Sequence, residues 1–521
     1  KGLPSRLINQ INCRRKISMI SKILLLALVA PAASIEAPTE PPFIHPRGVG
    51  QEVIKVNSVT LNAADYGLSS EASGLENQEA LNKALDALEL GDTLLVPEGV
   101  FSMVGGVVGK GLRNNTIIFD GTLEFQPDFD NWPLDPDQKN EKYMDCLAFK
   151  DSIDLAFTSS STGVINGGGR DWWNKMIAGT LPPNNKDSRP KLFHVTNSAD
   201  VLVEKLKLVN SPSWNLIVDA VRAEIRFFEV ETDRDYQREL RANKYRGDAK
   251  GRIEEWLIDK LSGLIPDWML QPEDLNTDGI DPSGIDFYIH DVKIYNDDDS
   301  IAVKPSQSGA VGIDGTEYHC TQNMLLENME LVGFGASIGS VPPTTGRKCV
   351  DGITMRNVTM PGTGKGIYIK SNGNDCQGKT SQLTNLLFED FVITDPFWYA
   401  IWIGPQQQHE PGSDLGLDCA LIYPLHDSQC PTQGCSDFEN ITFRNVEIVN
   451  PKLSPGAIMG NVSNPMRNIY FEDVVVKQDS KVLGRWPWRE DSFPWRGTYK
   501  SMFVEGSCKG CDPVPEGFEE V

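Results

Sequence analysis

The chain has 521 residues, 40% of them hydrophobic, enough for one large core or two ordinary domains and too many for a disordered chain. Its formal charge of −23 argues against nucleic acid as a partner, because phosphate backbones are held by basic patches and none is evident. A few local lysines or arginines could still hold an anionic substrate.

Taken from the amino terminus, residues 1–18 carry Arg14, Arg15 and Lys16 and read as an upstream extension. The next stretch, "MISKILLLALVAPAAS" (Met19–Ser34), has a lysine, a short apolar run and small residues at Ala30, Ala32 and Ala33. That is the pattern of a cleaved secretory signal over residues 19–33, too short to span a bilayer as a stable helix. Secretion permits disulfides, and setting Cys13 aside leaves an odd number of the ten cysteines, so at least one thiol has no partner within the mature chain. The Cys508-Lys-Gly-Cys511 spacing reads as a disulfide rather than half a zinc site. Four Asn-x-Ser/Thr triplets, at Asn114, Asn357, Asn440 and Asn461, are compatible with glycosylation.

"ENQEALNKALDAL" (Glu76–Leu88) predicts an amphipathic helix with Leu81, Ala84, Leu85 and Leu88 on its apolar face. Beyond it one motif recurs seven times: "VLVEKLKLVN" (201–210), "FYIHDVKIYN" (287–296), "MLLENMELVG" (324–333), "GITMRNVTMP" (352–361), "NLLFEDFVIT" (385–394), "NITFRNVEIV" (440–449) and "NIYFEDVVVK" (468–477). Two alternating runs flank a polar step at Asp291, Asn328, Asn357, Asp390, Asn445 or Asp473, as two short strands meeting at a corner would read. Such a unit cannot bury its apolar face alone. Stacking predicts an all-β fold, a right-handed parallel β-helix over residues 50–480 capped at its start by the helix. A sandwich would need regular hairpin turns, which the sequence lacks. Residues 233–270 break the repeat with helical spacing at Ile253, Trp256, Leu257 and Leu261 and read as a helical insertion that covers part of the solenoid. Residues 481–521, with Trp486, Trp488 and Trp495, read as a tail capping the last coil.

Chemistry concentrates in "NTDGID" (276–281) and "YNDDDSIAVK" (295–304). Asp278 precedes Asp299 by about one coil, so stacking would bring it beside the Asp298–Asp299 pair in a water-accessible trough. Clustered carboxylates suit glycosidic hydrolysis, where one donates a proton to the leaving oxygen and another activates water. Taken alone the run reads first as an ordinary solvated turn, and consecutive strand residues face opposite ways, so a shared cleft requires a kink between Asp298 and Asp299. His194 and His290 sit in strand patterns and read as packed, whereas His319 and His409 lie in loops.

The order and rough spacing of "NTDGID", "NDDDSIAVKPS", "GFGASIGS" and "GIYIKS" resemble the four signatures of glycoside hydrolase family 28, the polygalacturonases and rhamnogalacturonan hydrolases. "LNAADYG", "LLVPEGVF", "GVINGGGRDWW" and "SRPKLFHVTNSADVLVEKLKLVNSPSWNL" extend the likeness over roughly residues 55–478. The resemblance implies a secreted, monomeric, polygalacturonase-like enzyme that cleaves a pectic polysaccharide by inversion, with no cofactor, no metal, no nucleic acid and no membrane. It implies Asp298 as general acid, Asp278 and Asp299 on the attacking water, and substrate contacts from Lys370, Tyr368, Asn276, Phe334 and a stacking Tyr399. Two positions depart from the pattern: Phe334 stands for a histidine and Tyr368 for an arginine, the latter no conservative exchange at a carboxylate grip. Three alternatives therefore stay open beside galacturonan hydrolysis: a rhamnogalacturonan hydrolase, a Ca²⁺-dependent eliminase on the same solenoid, and a β-helix that binds pectin without cutting it.

Overall fold

In the computed structural model the chain is described at residues 35–45, 58–137, 141–248, 275–372, 376–407, 430, 432–478 and 498–521. The first regular unit is the helix Gly74–Asp86, opened by a capping box in which the Ser73 amide donates to Glu76 Oε2 (2.8 Å) and the Glu76 amide to Ser73 Oγ (3.3 Å). Its face of Ala80, Leu81, Ala84 and Leu85 is buried at the start of the core, while Leu88 lies just beyond the helix and packs against it.

Long strands then stack in parallel: Leu216–Glu231, Ile280–Tyr295, Thr321–Val332, Lys348–Pro361, Ser381–Thr394, Ser436–Val449 and Met466–Lys477, each paired with the next. Their register lines up Phe228, Val292, Met329, Val358, Phe391, Val446 and Val474, all buried, as one row of the core. Each such side chain contributes about 1.5–3 kcal/mol by leaving water, which no single coil could achieve.

The polar step of each repeat is a backbone corner. Asp291, Asn328, Asn357, Asp390, Asn445 and Asp473 all take φ between 50 and 56°, the left-handed region that Asn and Asp enter at least cost among side-chain-bearing residues. A second left-handed corner precedes each of them, at Asp286, Asn323, Gly352, Asn385, Asn440 and Asn468, so every strand bends twice where the sequence suggested one corner. Side-chain amides climb this edge, with Asn468 Nδ2 donating to Asn440 Oδ1 (2.9 Å) and Asn440 Nδ2 to Asn385 Oδ1 (3.0 Å).

Shorter strands form another face: Ile301–Val303, Ala336–Val341, Ile367–Ser371, Tyr399–Pro405 and Ser454–Met459. In register, Phe193, Leu216, Ile280, Ile301, Ala336, Ile367 and Ile401 occupy one row across successive coils. The result is a parallel β-helix, as the repeat predicts.

Two predicted features are refined. The segment expected as a cap adds a further coil, because Tyr499–Met502 pairs with Ser454–Met459 and Val504–Lys509 with Met466–Lys477. Within the expected insertion a helix occupies Arg234–Asp248; Ile253, Trp256, Leu257 and Leu261, like residues 19–33, His409 and Trp486, Trp488 and Trp495, lie outside the described residues. Disulfides join Cys320–Cys349, Cys376–Cys435 and Cys508–Cys511, and the buried Cys146 keeps a free thiol that burial pushes well above its ordinary pKa. No helix among the described residues is long and apolar enough to cross a membrane.

Candidate active site

Backbone pairing fixes which carboxylates meet. The Gly279 amide donates to Asp299 O (2.9 Å), the Asn215 amide to Asp278 O (2.9 Å) and the Ser300 amide to Gly335 O (2.9 Å), so Asp278 and Asp299 are neighbours on adjacent coils. One carboxylate oxygen from each of Asp278, Asp298 and Asp299 lies within 4.8 Å of the other two.

A turn at 296–300 answers the objection that neighbouring strand residues diverge. Asn296, fully buried, donates its amide to Thr277 O (2.8 Å) and Asp299 O (2.9 Å) and accepts from Ser300 Oγ (3.1 Å). The Asp299 amide donates to Asp298 Oδ1 (2.6 Å). Asn296 thus holds the chain out of the strand conformation across the aspartates, and the strand resumes only at Ile301. Gly333 makes this possible from the next coil, since a Cβ there would stand 2.2 Å from Asn296 Oδ1 and 2.5 Å from Asp298 O.

Three consecutive aspartates have three different surroundings. Asp297 is gripped by the helix that begins at Arg234: Arg238 Nη2 donates to its Oδ1 (2.9 Å), Arg234 Nε lies 3.4 Å away, and Arg241 bonds Oδ2. Asp299 accepts from Lys370 Nζ (2.5 Å) and Ser337 Oγ (2.7 Å). Asp298 sits between them, its backbone carbonyl accepting from the Phe334 amide (2.6 Å).

Lys304 completes the cluster, with Nζ 3.4 Å from both Asp278 Oδ2 and Asp281 Oδ2. Burial pulls its ammonium down, but the attraction of Asp281, Asp278, Asp299 and Asp298 outweighs this and holds it above the ordinary lysine range. Burial pushes the Asp281 carboxyl up to about 6, with Asp299 adding to the shift and Lys304 opposing it. Four carboxyl groups therefore crowd around two ammoniums in a desolvated place, the setting in which protonation states diverge between neighbours.

The remaining expected residues are placed as follows. Lys370 does not point at open groove; it is 3% exposed and bonded to Asp299. Tyr368 is fully buried, its ring flanked by Lys365 Nζ (3.6 Å from the centroid) and Lys370 Nζ (4.4 Å), so it seats two cations by cation–π contact instead of gripping a carboxylate. Phe334 contributes its backbone amide to Asp298, and its phenyl ring brings no side-chain donor to the acid. Asn276 accepts from Arg189 Nη2 (3.3 Å) at the rim. The stacking role expected of Tyr399 is not met, because this side chain is fully buried and packs on Trp402 with ring centroids 4.9 Å apart. The expected water-accessible trough also needs correction: Asp278, Asp298 and Asp299 are only 4%, 2% and 1% exposed, with the Arg234–Asp248 helix anchored on Asp297 beside them.

Lys304 and Asp281 escaped the sequence reading although both lie inside quoted motifs. Their signal was register: Asp281 shares a row with Ser337 and Tyr368, and Lys304 lies two residues along from that row, as does Lys370. His194, by contrast, is bonded to Asp145 (2.8 Å) and His290 to Asp291 (2.7 Å), as packed histidines should be.

The family model described as glycosyl hydrolases family 28 matches residues 91–419. Endo-xylogalacturonan hydrolase A of Aspergillus tubingensis is 24% identical over 323 residues, 62% of this chain and 65% of that protein. A "probable exopolygalacturonase B" of Aspergillus fumigatus is 24% identical over 395 residues, 68% of this chain and 73% of its own length. This chain thus spans about 65% of the endo-xylogalacturonan hydrolases it matches. Among solved structures, the exopolygalacturonase of Thermotoga maritima superposes with TM-score 0.57 at 17% identity, covering 92% of this chain and 93% of that one. The endo-xylogalacturonan hydrolase of Aspergillus tubingensis gives TM-score 0.56 at 18% identity, over 89% and 98%. At these identities the structural likeness carries the fold.

Proposed function

We propose that this chain, which belongs to the glycosyl hydrolases of family 28, is a secreted, monomeric hydrolase of galacturonan-type pectic backbones. The observation that carries the reading is the approach of Asp278, Asp298 and Asp299 to within 4.8 Å, with ammoniums on two of them. The names of its relatives, xylogalacturonan and polygalacturonate hydrolases, support the substrate class. The disulfides support an oxidising, extracellular setting.

In the proposed step, Asp278 and Asp299, each in contact with a lysine ammonium, take a proton from water. Water oxygen attacks the anomeric carbon, the bond to the leaving oxygen breaks, and that oxygen receives the Asp298 proton. Water's own proton passes to Asp278 or Asp299. No cofactor enters this scheme. A single displacement inverts the anomeric centre, although carboxylates this close are the spacing general experience associates with retention. Proton NMR of the first-formed product distinguishes them: inversion is expected, and a product of retained configuration would overturn the single-displacement step.

A second reading has its own observation. Oxygens within 4.8 Å of one another can share a cation whose ligands stand at about 2.3–2.6 Å, so a Ca²⁺-assisted eliminase fits the same atoms. Incubation with homogalacturonan, xylogalacturonan and rhamnogalacturonan separately tests both readings. New reducing ends with saturated sugars, unaffected by a chelator, are expected from a galacturonan backbone; unsaturated products or chelator sensitivity select the eliminase. Cleavage of rhamnogalacturonan alone moves the substrate, and binding without cleavage identifies a carbohydrate-binding β-helix.

A further inference from the structure

The row that runs through Asp278 and Asp299 continues toward the amino terminus. Stepping back two positions from Phe193, Leu216, Ile280, Ile301, Ala336 and Ile367 gives Lys191, Trp214, Asp278, Asp299, Phe334 and Lys365 on successive coils. The backbone bonds Leu192 N to Trp214 O (3.0 Å) and Asn215 N to Asp278 O (2.9 Å) carry that register across. Trp214 is therefore one coil, and Lys191 two coils, from Asp278. These distances are about 5 and 10 Å at ordinary strand spacing.

Unlike the sealed carboxylates, Lys191 and Trp214 at this end of the row are part-exposed, as are His194, Ile217 and Asp219 on the strands that follow them. Its backbone is fixed. Ser211 Oγ donates to Trp214 O (2.8 Å), Ser213 Oγ to Pro190 O (2.8 Å) and Arg189 Nη1 to Pro212 O (3.1 Å). Lys191 Nζ stands 6.0 Å from the Trp214 ring centroid, and its backbone amide donates to Asp145 Oδ1 (2.9 Å). Lys304 and Lys370 pair with site aspartates at close range, whereas Lys191 is within ion-pair distance of no carboxylate among the described residues; burial lowers its pKa, and Asp145 and Asp281 attract its ammonium from farther off. In a chain of net charge −23, Lys191 over a part-exposed indole, with Lys142 and Lys150 close enough to act on its charge, marks a place that attracts an anion with an apolar face.

We propose that Trp214 and Lys191 form a uronate-binding subsite on the amino-terminal side of the carboxylate cluster, Trp214 stacking on a pyranose ring and Lys191 pairing with a sugar carboxylate. Lys142 and Lys150 extend the same electrostatic attraction to the next sugars of the chain. This assignment rests on the proposed pectic substrate. It also supplies the stacking aromatic that Tyr399 does not.

The test measures binding and turnover separately. Oligogalacturonates of two to six residues, and their methyl esters, are titrated calorimetrically into the Asp298→Asn protein with and without Lys191→Met or Trp214→Phe. The same two substitutions in the otherwise native enzyme give KM and kcat. Lys191→Met is expected to weaken binding of the longer free acids about tenfold, the loss of one charge-assisted contact, with little change for the esters. Lys191→Arg should restore it, and in the active enzyme the loss should fall on KM rather than kcat. Equal affinity for every length in both variants, or equal weakening toward acids and esters by Lys191→Met, would overturn the subsite. Wild type that binds these acids through Lys191 yet cleaves none would keep the subsite and overturn the hydrolase.

Discussion

Two charged stripes run along this solenoid, and they handle charge in opposite ways. On one, cations alternate with carboxylates from coil to coil: Arg226 donates to Glu204 (2.8 Å) on the preceding coil and to Glu224 (2.6 Å) on its own strand, and Arg444 to Glu389 (2.8 Å) and Glu472 (2.9 Å) on the coils either side. Residues 35–45 lie along it, with Arg444 donating to Ile35 O (2.9 Å), Arg356 to Pro38 O (3.2 Å) and the His45 amide to Glu224 (2.6 Å). At the other stripe, Asp278, Asp281, Asp298 and Asp299 gather around Lys304 and Lys370. Alternation contributes cohesion. Crowding of like charge in a desolvated place costs stability and shifts protonation, a cost that folding alone would not retain.

The contrast is broken most readily at Lys370. Lys370→Met removes the partner of a buried carboxylate, so it should cost about 3–5 kcal/mol in urea unfolding and also depress kcat/KM on pectic substrate. Arg444→Gln removes a part-exposed double bridge from the other stripe and should cost about 1 kcal/mol by the same measurement, with turnover at the wild-type level. If Arg444→Gln slowed turnover as much as Lys370→Met, the stripes would not differ in kind.

Asp281 sharpens the comparison by pH. Its folded pKa, raised to about 6, lies above the unfolded value near 4, so between these values the folded chain holds a proton that the unfolded chain has released. The fold is thus favoured by this group below about pH 4, and that contribution is lost as pH rises through about 6. Thermal unfolding of Asp281→Asn beside wild type should show the variant gaining relative stability from pH 4 to pH 7. A constant difference would place Asp281 among ordinary carboxylates.

Much of this architecture was legible in the sequence, for a physical reason. Seven copies of an alternating run, six of them with Asn or Asp at a fixed step, announce strands that must stack and corners that need left-handed backbone. The second corner was harder to see because Asp286, Gly352 and Asn385 meet the same backbone need with different side chains. The three aspartates were legible as a group, but their division of labour was not. Asp297 belongs to an arginine helix and Asp299 to a lysine 71 residues away, and both pairings depend on how coils of unequal length come into register. Tyr399 misled for the same reason: its strand position was readable, its burial against Trp402 was not.

Release of reducing ends from homogalacturonan by the Asp298→Asn protein, alongside its circular dichroism and unfolding midpoint, bears most directly on the claim that the carboxylate cluster is the reaction centre. Turnover should fall by about 10²–10⁴, the usual worth of a general acid, while the spectrum stays that of the native solenoid. A folded Asp298→Asn enzyme that cuts at the wild-type rate would contradict it.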